Sequence, residues 1–197
     1  MSVARDEITY REIEDGNVEI CRDLCNALMA HQADRGVLHP EVLRAMSFDN
    51  RLKPSFEGAE EKQIITAFDG GKPIGYVYSS AGLETEASKT ARPAWAAGLP
   101  GIRETGFYPD WLPLPGKIGC LNNLYVLPEY RGRHIASALC DKAMSWLRSV
   151  TDIKYIFVYV SNGNNSVIDF YKNYGFEYSH DVFGGFIIAY YQKVQDR

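Results

Sequence analysis

Residues 117–136 read KIGCLNNLYVLPEYRGRHIA and combine a strand, a basic loop and the start of a helix. Even-numbered and odd-numbered residues from Ile118 to Val126 are predicted to point to opposite faces of a sheet, because side chains alternate along a strand. The strand is expected to end before Pro128, which has no N–H for a central ladder. From Ile135 onward, apolar residues recur at helical spacing and predict an amphipathic helix.

The loop at residues 131–134 carries two arginines and one glycine directly before that helix. The first turn of a helix has unpaired N–H groups, and its dipole is positive at that end. A strand that turns through such a loop into a helix is therefore typical of an anion-binding site. An ordinary surface connection that happens to carry arginines is the alternative interpretation.

Two segments resemble motifs of the GNAT superfamily of N-acetyltransferases. Residues 126–136 resemble its acyl-CoA-binding motif, with Arg131 and Ala136 at the two ends and His134 where the family usually has its central glycine. Residues 164–176 resemble its second motif, in which an asparagine is followed by Phe-Tyr and then by Gly-Phe. The two motifs stand in the expected order, separated by one predicted helix and one predicted strand.

The resemblance implies one α/β (α+β) domain over residues 1–197. Its sheet would be mixed but mostly antiparallel, with about six to seven strands flanked by about four helices. The hydrophobic pattern fits that plan and leaves residues 49–62 irregular. It predicts strands at 7–14, 63–68, 73–80, 117–127 and 154–160, one or two strands within 183–194, and helices at about 18–36, 40–46, 135–147 and 166–174.

Residues 83–116 depart from the family plan as a long insertion rich in proline and aromatic residues. A connection of this length inside a compact domain usually has a function or is disordered, but its aromatic residues can bury apolar area. The segment is either a packed surface lobe or a wall of the acceptor site.

Composition limits the classes of partner. A net charge of −4 and a pI near 5.6 argue against nucleic acid or an anionic membrane as the main partner. There is no run of about 18 apolar residues that could span a bilayer. The charged start of the chain and the spacing of its four cysteines indicate a cytoplasmic protein without a metal site. A homodimer is compatible with the sequence.

By resemblance, the cosubstrate is acetyl-CoA. Its pyrophosphate would meet the N–H groups of the basic loop, and its strand-like pantetheine arm would pair with an exposed strand backbone, as a peptide adds to a sheet edge. Ser137 is a possible hydroxyl donor, and Asn164 would bind the pantetheine arm. The predicted binding residues are Leu124, Tyr125, Val126, Arg131, Gly132, Arg133, His134, Ile135, Ala136, Ser137 and Asn164.

By the same resemblance, Tyr171 would protonate the leaving thiolate as the general acid. A phenol with a pKa of about 10 needs only modest help to donate to a thiolate whose conjugate acid has a pKa of about 8.5. The alternative is a core aromatic residue beside Phe170 and Tyr174.

The general base is not apparent in the sequence. Family members often carry a carboxylate at the positions of Asn122 and Asn123, and a carboxamide cannot hold a proton at neutral pH. Glu104 and Asp110 are the candidate bases, because they flank aromatic residues of the insertion.

The sequence thus predicts an acetyl-CoA-dependent N-acetyltransferase that acts on a primary amine of a small molecule. Direct attack would take place in a ternary complex. A degenerate domain that binds acyl-CoA without turnover is the alternative, and release of free CoA with a panel of amines would separate the two.

Overall fold

Seven strands form one sheet in the order β1-β2-β3-β4-β5-β7-β6. The computed structural model describes residues 7–13, 16–97, 99 and 106–194. The strands are β1 (Thr9–Glu12), β2 (Glu61–Asp69), β3 (Lys72–Glu84), β4 (Gly116–Val126), β5 (Ile153–Ser161), β6 (Glu177–Val182) and β7 (Ile187–Lys193).

Six α-helices accompany the sheet in the described residues: α1 (Arg22–Arg35), α2 (Pro40–Arg44), α3 (Lys53–Gly58), α4 (Glu86–Thr90), α5 (Ile135–Ser149) and α6 (Ile168–Asn173). Gly36 ends α1, and Pro40 occupies the first turn of α2, where a missing N–H costs nothing. Gly175 follows α6 with a φ of +83°, a conformation that glycine adopts without strain. The four predicted helices are all present, and α3 and α4 are two short additions.

All neighbouring strands pair antiparallel except β4 and β5, which run parallel. The parallel pair is joined through α5, as a crossover connection requires. The predicted fold class, a mixed and mostly antiparallel sheet with flanking helices, is confirmed.

Helices cover both faces of the sheet. The α1 face carries α1, α2 and α3 over residues that include Tyr76 and Tyr78 of β3. The α5 face carries α5 and α6 over residues that include Val77 and Leu121. The two sets of buried side chains form separate apolar clusters, one on each side of the sheet.

One local expectation was wrong, and one strand was missed. Residues 49–62 are not irregular, since a π-helical turn (Phe48–Leu52) leads directly into α3. The strand predicted within residues 183–194 is present as β7, but β6, which begins at Glu177, was not predicted. In β6 the residues facing solvent interrupt the apolar pattern that the prediction relied on.

The described part of the insertion packs against the α1 face. Phe107 contacts Tyr159 and Phe183 edge-on, with ring centroids 5.2 and 5.1 Å apart. Trp95 joins the same group, 5.9 Å from Phe183. The Tyr159 hydroxyl donates to the carbonyl of Phe107 at 2.8 Å. These aromatic residues therefore extend the core over β5 and β7.

Asn162 joins three parts of the chain just after β5. Its Oδ1 accepts from the N–H groups of Val37 and Leu38 at 2.6 and 2.5 Å. Its Nδ2 donates to the carbonyls of Leu38 and Phe186 at 3.1 and 2.8 Å. The connection between α1 and α2 is thereby fixed to the ends of β5 and β7, although Val37 itself is 75% exposed.

In the described residues, no helix has the length and apolar character needed to cross a membrane.

Replacing Asn162 with alanine is expected to destabilise the fold by about 2–3 kcal/mol, because four hydrogen bonds to buried or partly buried backbone groups are lost. Thermal unfolding should report a fall in Tm of about 4–12 °C. Asn165→Ala is the control, since Asn165 is exposed. Equal Tm values for the two variants would show that Asn162 does not hold the three segments together.

Candidate functional site

A gap opens in the middle of the sheet where β4 and β5 diverge. Their parallel pairing runs from Lys117–Ile153 to Leu121–Val158. Beyond that pair β4 continues to Val126 along β3 only, and β5 continues to Ser161 along β7 only. The described residues of β4 after Leu121 therefore have one edge without a strand partner.

A β-bulge lies at the start of the gap. Tyr78 pairs with Asn123 and Ser79 pairs with Leu121, so Asn122 is the extra residue of β4. A bulge shifts the alternation of side chains by one position. Consequently Tyr125 joins the core of the α1 face with Ile118, and the alternation predicted over 118–126 was wrong beyond Asn122.

The backbone of β4 presents alternate residues to the gap. The N–H of Leu127 donates to the carbonyl of Ile74 in β3 at 2.9 Å. Since successive residues of a strand face opposite edges, the main chain of Tyr125 also faces β3, and those of Leu124 and Val126 face the gap. Of the three predicted backbone partners, only Leu124 and Val126 have this orientation.

The basic loop follows β4 and ends at the first turn of α5. Residues 131–134 are exposed, and α5 begins at Ile135. Gly132 has a φ of +73°, and in the described residues nothing lies within 4 Å of the place a Cβ would take. The N–H groups of this first helical turn, including those of Ala136 and Ser137, have no partner within the helix.

His134 has a left-handed backbone, with φ +59° and ψ 12°, immediately before α5. A side chain costs about 1–2 kcal/mol in this region, whereas glycine adopts it freely. The family's glycine at this position is therefore explained by the backbone conformation as well as by close approach. The His134 side chain is exposed and does not fill the loop.

The side chains of the two loop arginines contact different parts of the structure. Arg131 Nε donates to the carbonyl of Val126 at 3.1 Å, and its guanidinium lies 5.5 Å from the ring centre of Tyr125. Arg133 lies 5.4 Å from the ring centre of Tyr130. Arg131 thus reaches back to the open edge of β4, and Arg133 stays beside the loop.

Tyr171 of α6 is buried on the α5 face, with its ring edge-on to Phe170 and Phe176 at 5.4 and 5.9 Å. Burial raises the pKa of its hydroxyl well above the ordinary value, and the thiols of Cys140 and Cys120 add to the rise. In the described part of the chain the hydroxyl has no hydrogen-bond partner.

Asn164 is buried shortly after the end of β5. Its N–H donates to the carbonyl of Ser161 at 3.1 Å, and its Oδ1 accepts from the Ser166 hydroxyl at 3.4 Å. Asn164 thus flanks the gap on the side of β5, opposite the open edge of β4.

Polar atoms without partners border the same gap. Asn123 Oδ1 on β4 and Ser161 Oγ on β5 are buried and lack a hydrogen-bond partner among the described residues. Buried polar atoms normally have partners. A ligand or water in the gap is the simplest means of satisfying them.

Of the two candidate bases, the structure describes only Asp110. Glu104 lies outside the described residues. Asp110 is exposed, and its carbonyl accepts from Lys89 at 3.3 Å. The next residue, Trp111, packs on Tyr155 and Tyr191, at the closed end of the β4–β5 pair.

Sequence reasoning missed Glu84, at the end of β3. Burial, and then the negative charge of Glu84, raise the pKa of the Tyr108 hydroxyl and of the Cys120 thiol. The alternation of β3, in which Tyr76 and Tyr78 face α1, could have placed Glu84 on that face. The extent of β3 beyond Ser80 was the missing information.

An open strand edge that leads into a basic helix N-terminus defines a domain suited to an extended anionic ligand. The sequence profile of the Acetyltransferase (GNAT) family matches residues 27–176. The chain belongs to this family of acetyltransferases and is thus an acyltransferase. Among curated protein sequences, none matches the chain.

Solved structures of acetyltransferases share the fold. Arabidopsis thaliana NAA60 in complex with acetyl-CoA is 17% identical, with a TM-score of 0.58 over 95% of this chain and 99% of that one. The PaiA N-acetyltransferase of Thermoplasma acidophilum in complex with coenzyme A is 15% identical, with a TM-score of 0.63 over 95% and 99%. A GNAT-family acetyltransferase of Streptococcus pneumoniae is 14% identical, with a TM-score of 0.57 over 96% and 100%.

His134→Val is expected to destabilise the protein by about 1–2 kcal/mol, because a β-branched residue resists a positive φ. His134→Gly should not lower stability, since glycine adopts the same backbone without strain. Thermal unfolding of both variants and the parent measures the difference. A valine variant as stable as the glycine variant would contradict the left-handed conformation at this position.

Proposed function

We propose that the protein is an acetyl-CoA-dependent N-acetyltransferase that acetylates a primary amine of a small molecule. The observation that carries the proposal is the unpaired edge of β4, which leads from the bulge at Asn122 to the basic loop and the start of α5. This arrangement offers backbone hydrogen bonds, free N–H groups and positive charge in one line.

The residues fit the shape and charge of acetyl-CoA. The main chains of Leu124 and Val126 would pair with the pantetheine amides, and Asn164 would contact the arm from the side of β5. The N–H groups at the start of α5 would bind the pyrophosphate, together with Arg133 and the Ser137 hydroxyl. A pantetheine amide at the Val126 carbonyl would displace Arg131, whose guanidinium would then be free for a phosphate.

Acetyl-CoA supplies an activated acyl carbon. In the proposed reaction the amine nitrogen forms a bond to that carbon while the carbon–sulfur bond breaks, and the sulfur takes the bonding electron pair. Tyr171 gives its hydroxyl proton to the sulfur, and the nitrogen loses one proton. The raised pKa of Tyr171 keeps this proton on the phenol at every physiological pH.

Direct attack by the amine is favoured over an acyl-cysteine route. Cys120 is the cysteine of β4 beside the bulge, and burial raises the pKa of its thiol to about 12. The thiolate is the nucleophilic form of cysteine, and very little of it exists near pH 7 at that pKa. A ternary complex of enzyme, cosubstrate and amine therefore suits the site.

The acceptor is the least defined part of the proposal. The NatC complex, a structural relative at 14% identity, was solved bound to a Gag peptide and CoA. A test panel should therefore contain small amines and peptides with free N-termini. Release of free CoA with one of these acceptors supports the proposal, and acetyl-CoA binding without release favours the binding-only alternative suggested by Asn122 and Asn123.

Neutralising Arg131 and Arg133 together with glutamine should weaken acetyl-CoA binding at least about tenfold, because a hydrogen bond between charged groups contributes about 1.5–3 kcal/mol. Calorimetry measures the change. Lys142→Gln with Arg148→Gln is the matched control, since it removes two charges from the rest of α5. Equal affinities in both double variants would mean that the loop does not bind the phosphates.

Tyr171→Phe should lower kcat by about 10²-fold, the lower range for a lost general acid, with little change in the Kd of acetyl-CoA. Because burial raises the pKa of Tyr171, its hydroxyl stays protonated below about pH 9. The pH profiles of kcat for the variant and the parent should therefore have the same shape in that range. Tyr190→Phe is the control, a buried tyrosine of β7 on the same face. A parental kcat in the Tyr171 variant would assign this residue to packing alone.

A further inference from the structure

A polar cleft lies on the α1 face beside the bulge. Cross-strand pairing places Ser80 of β3 opposite Cys120, Gly82 opposite Ile118, and Glu84 opposite Gly116. Cross-strand partners share a face, and Ile118 belongs to the core of the α1 face. Ser80, Gly82 and Glu84 therefore form a row on that face, which we call the Gly82 cleft.

The middle residue of the row, Gly82, has no side chain. Among the described residues, no atom lies within 4 Å of the position that a Cβ on Gly82 would occupy. Tyr76 and Tyr78, earlier in the same row, are fully buried. The row thus changes from dense aromatic packing to open space, and Gly82 is partly exposed so that water can enter.

One end of the cleft meets the bulge. Asn122 Nδ2 donates to Ser80 Oγ at 2.8 Å and to the carbonyl of Cys120 at 3.4 Å. Asn122 is the residue that the bulge inserts at the start of the β4–β5 gap. A nucleophile that reaches the gap from the α1 face would therefore lie next to this pair of side chains.

The other end of the cleft carries a carboxylate. Glu84 is partly buried, and its negative charge adds to the effect of burial in raising the pKa of the Tyr108 hydroxyl. Tyr108 itself packs edge-on against Phe157, with ring centroids 5.5 Å apart. The carboxylate therefore lies near a packed part of the insertion.

The charged and titratable groups around Glu84 come from several elements. Tyr108 of the insertion, Cys120 of β4 and Tyr159 of β5 all have their pKa raised in part by its negative charge. Arg51 of the π-helical turn acts on Cys120 in the opposite direction. In α4, Glu86 pairs with Lys89. The Lys117–Glu61 pair lies across the sheet, on the α5 face, by strand alternation.

We propose that Glu84 receives the proton that the acceptor nitrogen loses, through water held in the Gly82 cleft between Asn122 and the carboxylate. This inference rests on the proposed acetyltransferase function and supplies the base that Asn122 and Asn123 cannot provide.

The proton balance is complete. As the nitrogen bonds to the acetyl carbon, its proton passes to water and from water to the Glu84 carboxylate, while the sulfur receives its proton from Tyr171. Glu84 then releases its proton to solvent at the exposed side of the cleft, and the Tyr171 phenolate regains a proton from water after CoA leaves, which restores both groups.

The test compares Glu84→Gln with the parent in kcat/KM against pH, using an accepted amine. Glutamine has nearly the same shape as glutamate, but its amide cannot take a proton. We expect about 10²-fold lower kcat/KM near pH 7, recovering toward the parent as the pH rises and the free amine becomes abundant. Acetyl-CoA affinity and Tm should stay unchanged.

Three variants separate proton transfer from structure. Tyr108→Phe removes the phenol hydroxyl near Glu84 but keeps the carboxylate, so its kcat/KM should fall much less than that of the Glu84 variant. Glu86→Gln, an exposed charge in α4, should behave as the parent. Gly82→Val should keep the fold, since the space is open and the strand suits valine, yet lower kcat/KM at least about tenfold by filling the water path.

An active parent with an unchanged rate and pH profile in Glu84→Gln would overturn the inference and leave the acetyltransferase function intact. A Gly82→Val variant that folds and keeps the parental rate would likewise overturn the inference and leave the acetyltransferase function intact. If the parent binds acetyl-CoA and releases no CoA with any acceptor, the proposed function and the inference both fall.

Discussion

The structure depends on the hydrogen-bonding requirement of one strand. Each backbone N–H and carbonyl needs a partner, and the inner edge of a central strand normally finds it in the next strand. In β4 the pairing with β5 stops after Leu121, and beyond Val158 β5 pairs only with β7. The open groups of Leu124 and Val126, the direction of the basic loop and the start of α5 all follow from this divergence. Arg131 satisfies one of these open groups, because its side chain donates a hydrogen bond to the Val126 carbonyl.

The sequence was sufficient for features that depend on local pattern. The strand from residue 117, the loop glycine and the helix at Ile135 each have a nearby signal, and all three are present. The bulge could not be predicted because Asn122 and Asn123 are both polar, so an extra residue leaves no trace in the alternation. In the structure Tyr125 lies on the α1 face, opposite to the face that the alternation predicted. Of the three residues predicted to pair with the pantetheine arm, only Leu124 and Val126 have main-chain groups that face the gap.

The proposed acid and base show a second limit of sequence reasoning. Tyr171 is proposed through a motif, although its buried ring alone would have indicated packing. Glu84 has no motif, and its place on the same face as Ser80 follows only from the register between β3 and β4. Asp110 and Glu104 were predicted because aromatic residues surround them in the chain. Asp110 is exposed, and Glu104 lies outside the described residues, so proximity along the chain remains their only support.

Asn162 also affects the chemical stability of the protein over time. It precedes Gly163, and asparagine followed by glycine is chemically labile, because the next backbone nitrogen can attack the side-chain amide. In the native protein the four hydrogen bonds of that amide hold it away from such attack. Once the chain opens, the protection is lost, and conversion to aspartate would remove the two donors that Leu38 and Phe186 require. Prolonged heating would therefore turn reversible opening into permanent damage at this residue.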